Sequence, residues 1–111
     1  MKYHHIGIPT KEKLKDEIYL KHLKMYTSGY GKNLYGIEWV RYEDDADFPG
    51  IVMNLPHVAF EVDDINEIIK GKKVIIQPNS PSPGVIVAFI EDSGAPVEFM
   101  QVDRAIAKEG I

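Results

Sequence analysis

The chain contains no cysteine among its 111 residues. Disulfide bonds, zinc sites built on thiolates and cysteine nucleophiles are therefore excluded. It also lacks any apolar run approaching the roughly 20 residues that a membrane-spanning helix needs. The opening MKYHHIGI lacks the basic-then-apolar pattern of a signal peptide. We therefore expect a cytoplasmic protein without a membrane partner.

Positive charge is also scarce. Thirteen lysines and arginines stand against 17 acidic residues, which gives a net charge of −4. Nucleic acids and anionic membranes bind broad basic surfaces, so we expect neither as a partner. With 44% hydrophobic and 27% charged residues, the composition is ordinary for a globular protein. The length corresponds to a single domain.

Apolar periodicity and turn signals predict a series of strands with two helices. The predicted strands cover residues 3–8, 24–28, 37–43, 57–62, 74–77, 85–90 and 96–102. The predicted helices cover residues 10–23 and 65–69. Asp64 and Glu67 form a capping box at the start of the second helix. The segments EDDADFPG (43–50) and PNSPSPG (78–84) are expected to be loops.

The two halves of the chain resemble each other. HHIGIPT (4–10) matches PHVAFEV (56–62), since each has a histidine followed by β-branched, small and apolar residues. GIEWVRYED (36–44) matches PVEFMQVDR (96–104) in the same way. These matches predict two βαβββ-type modules, about 1–48 and 56–103, within one domain over 1–111.

Strand alternation sorts the candidate site residues by face. In four strands an apolar face lies opposite a face that carries one possible ligand: His5, Glu38, His57 or Glu98. Tyr3 shares the face of His5, whereas His4 faces away. If the modules are related by a pseudo-twofold axis, the four ligands converge. The sequence thus predicts an α+β fold, with a curved mixed sheet around an open barrel-like cleft and helices on its outer face.

Imidazole and carboxylate groups suit zinc, nickel, iron, cobalt or manganese as a divalent ion. A cation would also offset the cost of burying glutamates without a counter-charge. The competing interpretation is two hydrogen-bonded histidines and two glutamates on a solvated sheet face. The repeat favours a metal site with one divalent ion.

HHIGI, PHVAFEVDD and APVEFMQ resemble the vicinal oxygen chelate superfamily, which includes glyoxalase I, methylmalonyl-CoA epimerase, extradiol dioxygenases and bleomycin-resistance proteins. The resemblance extends over residues 3–103. It implies that the histidine before each V/I–G/A–apolar run is a ligand, hence His5 and His57. Glu98 matches the ligand of the last strand. Glu38 stands where glyoxalase I has Glu and the epimerase has Gln, although the first module is short.

The resemblance further implies a glyoxalase-type lyase or isomerase. In such an enzyme the metal chelates two neighbouring substrate oxygens and stabilises an enediolate-like anion. Glu98 or, by pseudo-symmetry, Glu38 is the expected catalytic base. Tyr3, Tyr42 and Met100 are expected to contact the small-molecule substrate.

Two other functions stay open. An iron(II) ring-cleaving dioxygenase would use His5, His57 and Glu98 as a facial triad, but a fourth ligand at Glu38 argues against it. A bleomycin-resistance-like protein would bind a flat ligand without metal or catalysis. Because small curved sheets expose their edges, we expect a homodimer. The sequence leaves open the substrate, the metal, and whether one chain or two form the site.

Overall fold

The chain folds into one curled sheet with two short helices. A computed structural model describes all residues, 1–111. The strands are β1 (Lys2–Pro9), β2 (Ile18–Leu20), β3 (Met25–Ser28), β4 (Ile37–Tyr42), β5 (His57–Glu61), β6 (Lys73–Ser82), β7 (Val85–Asp92) and β8 (Ala95–Val102). The helices are α1 (Gly50–Asn54) and α2 (Ile65–Ile68), with a 3₁₀ helix over Lys21–Leu23. None of these helices is long and apolar enough to span a membrane.

The sheet has the strand order β2-β3-β4-β1-β5-β8-β7-β6. The two central strands, β1 and β5, pair antiparallel with each other. Each then pairs in parallel with the last strand of its own half, β4 or β8. The outer strands follow antiparallel in both halves. This curled mixed sheet forms a half-barrel and confirms the predicted α+β, glyoxalase-like fold.

Helix α2 covers the outer face of the second half. The Asp64 side chain accepts hydrogen bonds from the backbone N–H groups of Asn66 and Glu67, at 3.0 and 3.3 Å, as the predicted cap requires. Ile65 is 1% exposed and packs in a cluster with Val62, Ala88, Ile90 and Phe99. Burying a side chain of this size contributes about 1.5–3 kcal/mol.

The helix predicted over residues 10–23 is wrong. Residues 10–17 are irregular, and β2 and the 3₁₀ helix follow. Asp16 has φ 59°, a left-handed conformation that the interior of a right-handed helix cannot contain. The first half therefore has no helix over its outer face. Tyr19 and Trp39 remain 44% and 36% exposed on the surface of this half.

The loop predicted over residues 78–84 is also wrong in most of its length, because β6 continues to Ser82. Its register against β7 shifts at three places, which accommodates the two prolines of this edge strand. At the other edge of the sheet, His22 Nε2 lies 3.1 Å from the carbonyl oxygen of Pro81. This contact connects the 3₁₀ helix that follows the edge strand β2 to the other edge strand, β6.

A β-bulge interrupts β1. Tyr3 pairs with Phe60 and His5 pairs with Ala59, so His4 is an extra residue in the ladder. Bulges redirect side chains, and here both histidines reach the concave side of the sheet. The prediction that His4 faces away is therefore wrong. Tyr3 is instead 47% exposed, and its hydroxyl donates to the carbonyl oxygen of Tyr35 at 2.7 Å.

Candidate metal centre

The concave side of the sheet encloses a cavity of about 280 Å³. Six of the seven residues predicted for the site line it: His5, Glu38, Tyr42, His57, Glu98 and Met100. The seventh, Tyr3, does not reach the cavity, because its side chain lies at the surface against Tyr35. This placement does not support the predicted contact of Tyr3 with the substrate.

The pairing of the central strands explains why four ligand candidates converge. Gly7 is the register partner of both Glu38 and His57. Ala59 is the partner of both His5 and Glu98. Each half therefore contributes a small residue that is flanked by one histidine and one glutamate. The small residues matter, since a Cβ at Gly7 would lie 2.2 Å from Cε1 of His57.

Glu98 lies between the two imidazoles. Its Oε1 is 3.1 Å from Nε2 of His57 and 3.4 Å from Nε2 of His5. Glu38 is more distant, with its Oε1 3.8 Å from Nε2 of His5. His5, His57 and Glu98 are all buried, and their possible ligand atoms lie within 4.8 Å of one another. These three residues form the compact part of the site.

The donor set fits a divalent ion. Imidazole nitrogens and carboxylate oxygens bind zinc-like ions at about 2.0–2.2 Å, so two ligands of one ion stand roughly 3.0–3.4 Å apart. The distances of 3.1 and 3.4 Å from Glu98 fall in this range. Both histidines also present the same ring nitrogen, Nε2, to this carboxylate. The buried cluster of His5, His57 and Glu98 could thus hold a metal ion.

The two glutamates differ in their electrostatics. Burial acts to raise the pKa of Glu98, but hydrogen bonds from His5 and His57 outweigh it and lower that pKa to about 2. Burial raises the pKa of Glu38, and the nearby His5 offsets this only in part. Burial acts to lower the pKa of His5, yet its hydrogen bond to Glu98 raises it overall. Glu98 is therefore the firmly anionic group of the site.

His4 contacts the ring of His5, and Tyr30 in turn contacts the ring of His4. Nδ1 of His4 lies 2.7 Å from Nδ1 of His5, so one of these nitrogens donates and the other accepts. The His4 ring stacks on Tyr30 with centroids 4.9 Å apart, and its Nε2 is 3.2 Å from the Tyr30 hydroxyl. Burial, followed by the charge of His5, lowers the pKa of His4 and favours its neutral form. If Nε2 of His5 binds a cation, Nδ1–H donates to His4.

Apart from the contact of its Nε2 with Glu98, His57 is held by packing. Its Nδ1 is buried without a hydrogen-bond partner. The ring contacts Phe89 edge-on, with centroids 5.0 Å apart, and lies directly over Gly7. The orientation of this candidate ligand therefore depends on the shape of its pocket and on Glu98.

No protein-family profile and no curated protein sequence matches the chain. Solved structures are similar. Methylmalonyl-CoA epimerase from Mycobacterium tuberculosis has a TM-score of 0.64 and 11% identity, over 92% of this chain and 88% of that one. A hypothetical protein from Bacillus halodurans C-125 has a TM-score of 0.61 and 20% identity, over 92% and 94%. At these identities the similarity establishes a common fold, and this chain has the half-barrel fold of the epimerase.

Proposed function

We propose that the protein is a metal-dependent isomerase or lyase of the glyoxalase type. Its substrate is a small molecule with two adjacent oxygens. The observation that carries this proposal is the buried cluster of His5, His57 and Glu98 in the cavity, with a second carboxylate, Glu38, beside it. The fold shared with an epimerase supports an isomerisation.

His5, His57 and Glu98 would hold the ion. Neutral imidazole and carboxylate suit zinc, nickel, iron(II), cobalt or manganese. When bound, such an ion stabilises negative charge on the substrate oxygens as a Lewis acid. The cavity walls would exclude water from the reacting atoms, which strengthens this electrostatic stabilisation.

Glu38 would act as the base. Its Oε1 contacts only one of the two imidazoles, at 3.8 Å, and its side chain is 23% exposed, against 11% for Glu98. Glu98 is held between both imidazoles, as a ligand should be. Glu38 is therefore freer to take a proton from the substrate carbon and to return it.

The first test is elemental analysis of protein purified without chelators, which should show one divalent ion per chain. Hydrogen–deuterium exchange then tests catalysis: the carbon-bound hydrogens of 2-hydroxyacetophenone in D₂O are followed by NMR. The Glu38→Gln variant should keep its metal and lose exchange activity by at least about 100-fold, the usual contribution of a general base. Glu98→Gln should lose affinity for the metal itself.

Glu91→Gln is the matched control, because Glu91 forms a surface ion pair with Lys73. This variant should keep both metal and activity. Protein that neither contains nor takes up a divalent ion would contradict the proposal. So would full exchange activity in Glu38→Gln, which would exclude Glu38 as the base. Tight ligand binding by metal-free protein would instead favour sequestration.

A further inference from the structure

The cavity wall beyond the candidate ligands is mostly apolar. Side chains from both halves of the sheet form it, among them Leu20, Met25, Ile76, Val87 and Phe89. The polar groups that remain, such as those of Thr27 and Asn79, are uncharged. The part of a ligand that lies in this region would contact hydrocarbon side chains and uncharged hydrogen-bonding groups.

The charged side chains that face the cavity include the carboxylates of Glu38 and Glu98 but no lysine or arginine. Both arginines of the chain have an acidic partner, and neither of them lines the cavity. Arg41 donates two hydrogen bonds to Glu17, at 2.9 and 2.8 Å, and Arg104 is paired with Glu61. Arg104 also donates to the backbone oxygen of Ile111, a lining residue, at 3.0 Å, but no lysine or arginine lies in the cavity wall itself to meet a second anionic group of a ligand.

We infer that the substrate is a small uncharged compound, with its two adjacent oxygens at the His5–His57–Glu98 cluster and an apolar ring or chain in the rest of the cavity. This inference rests on the proposed function. A carboxylate or phosphate buried in such a wall loses its hydration without gaining a partner, which is unfavourable. The volume of about 280 Å³ is also at the small end for ligand sites.

Matched catechols test this inference by isothermal titration calorimetry on zinc-loaded protein. 4-Methylcatechol and 3,4-dihydroxybenzoate carry the same pair of adjacent oxygens and have nearly the same size. They differ at the far end, where one has a methyl group and the other a carboxylate. We expect 4-methylcatechol to bind at least about tenfold more tightly, because the carboxylate stays unpaired. Equal or tighter binding of 3,4-dihydroxybenzoate would overturn the inference.

The same titrations on metal-free protein separate this inference from the proposed function. Chelation predicts that removing zinc weakens both catechols alike. If zinc has no effect but 4-methylcatechol still binds more tightly, the apolar cavity is supported and the metal-dependent function is contradicted. If zinc strengthens both catechols but the carboxylate carries no penalty, the proposed function stands and the inference about substrate class fails.

Met25→Lys supplies the missing positive charge, and Met25→Gln is its uncharged control. The lysine variant should bind 3,4-dihydroxybenzoate at least about tenfold more tightly than the glutamine variant, since it provides the counter-charge. Circular dichroism checks that both variants fold. A lysine variant that folds without this gain would contradict the electrostatic basis of the inference, and the wild-type titrations decide the matter if the variant does not fold.

Discussion

Replacing Gly7 with alanine should displace His57, a candidate metal ligand, without changing the imidazole itself. The added Cβ would lie 2.2, 2.6 and 2.8 Å from Cε1, Nε2 and Nδ1 of His57. Non-bonded carbon atoms pack at about 3.5–4.0 Å, so the ring must move by roughly 1 Å or more. Gly7 is not among the glycines with positive φ, and alanine is compatible with its backbone. The predicted effect is therefore steric and confined to the imidazole.

Metal coordination tolerates much smaller displacements of a side chain than packing does. Metal–ligand distances vary by only about 0.2 Å in a formed site, so a shift of about 1 Å takes His57 out of the coordination sphere. Loss of ligand orientation lowers metal affinity by about 10–100-fold, and we expect a value near the upper end, equivalent to roughly 2.7 kcal/mol. Overpacking should also lower the free energy of unfolding by about 1–3 kcal/mol.

Zinc affinity is measured by competition with a chromophoric chelator, and folding by circular dichroism. Gly50→Ala is the matched control, because its Cβ meets only Nδ2 of Asn54, at 3.9 Å. This control should bind zinc as the wild type does. In a His57→Ala background, Gly7→Ala should cost no further affinity, since the ring it displaces is gone. Unchanged zinc binding by a folded Gly7→Ala single variant would refute the reasoning.

Three further outcomes are expected. By the same zinc competition, His4→Ala should weaken affinity about tenfold, and His4→Asn, which retains an acceptor for the Nδ1–H of His5, should weaken it less. In the metal-free protein, folding lowers the pKa of Glu98 from 4.5 to about 2. The ionised carboxylate therefore stabilises the folded state above pH 4.5, and this stabilisation is lost as the pH falls toward the folded-state pKa of about 2. This effect contributes roughly 3 kcal/mol to the free energy of unfolding, of which about 2 kcal/mol should be lost between pH 5 and pH 3. Urea unfolding of the Glu98→Gln variant should not show this loss. Finally, we propose that a second copy covers the helix-free outer face of the first half. Sedimentation velocity should then show a dimer for the wild type and a monomer for Trp39→Arg, and monomeric wild type would contradict this proposal.

The convergence of the four candidate ligands follows from properties that are readable locally. Alternation along a strand fixes which face carries each histidine and glutamate. The similarity of the two halves then implies equivalent positions in space, and the register places His5 and Glu98 beside Ala59, and His57 and Glu38 beside Gly7. For these residues, the sequence is sufficient to predict which side chains come together.

The sequence predictions that are wrong concern interactions between segments that are distant in the chain. The bulge at His4 exists only because β1 pairs with β5, a contact between residues more than 50 positions apart. The role of Tyr30, stacked on His4, depends on the same bulge. Likewise, residues 78–82 become a strand because β7 is available as a partner, despite their prolines. Local patterns cannot reveal pairings that long-range contacts decide.

One exposed hydrogen bond, between His22 and Pro81, crosses the open side of the half-barrel. It connects the 3₁₀ helix after β2 to β6, and residues next to it, Leu20 and Leu23, line the cavity. Releasing an exposed hydrogen bond of this kind costs only about 0.5–1.5 kcal/mol. Breaking this one contact would therefore cost little, since it separates no two neighbouring strands of the sheet.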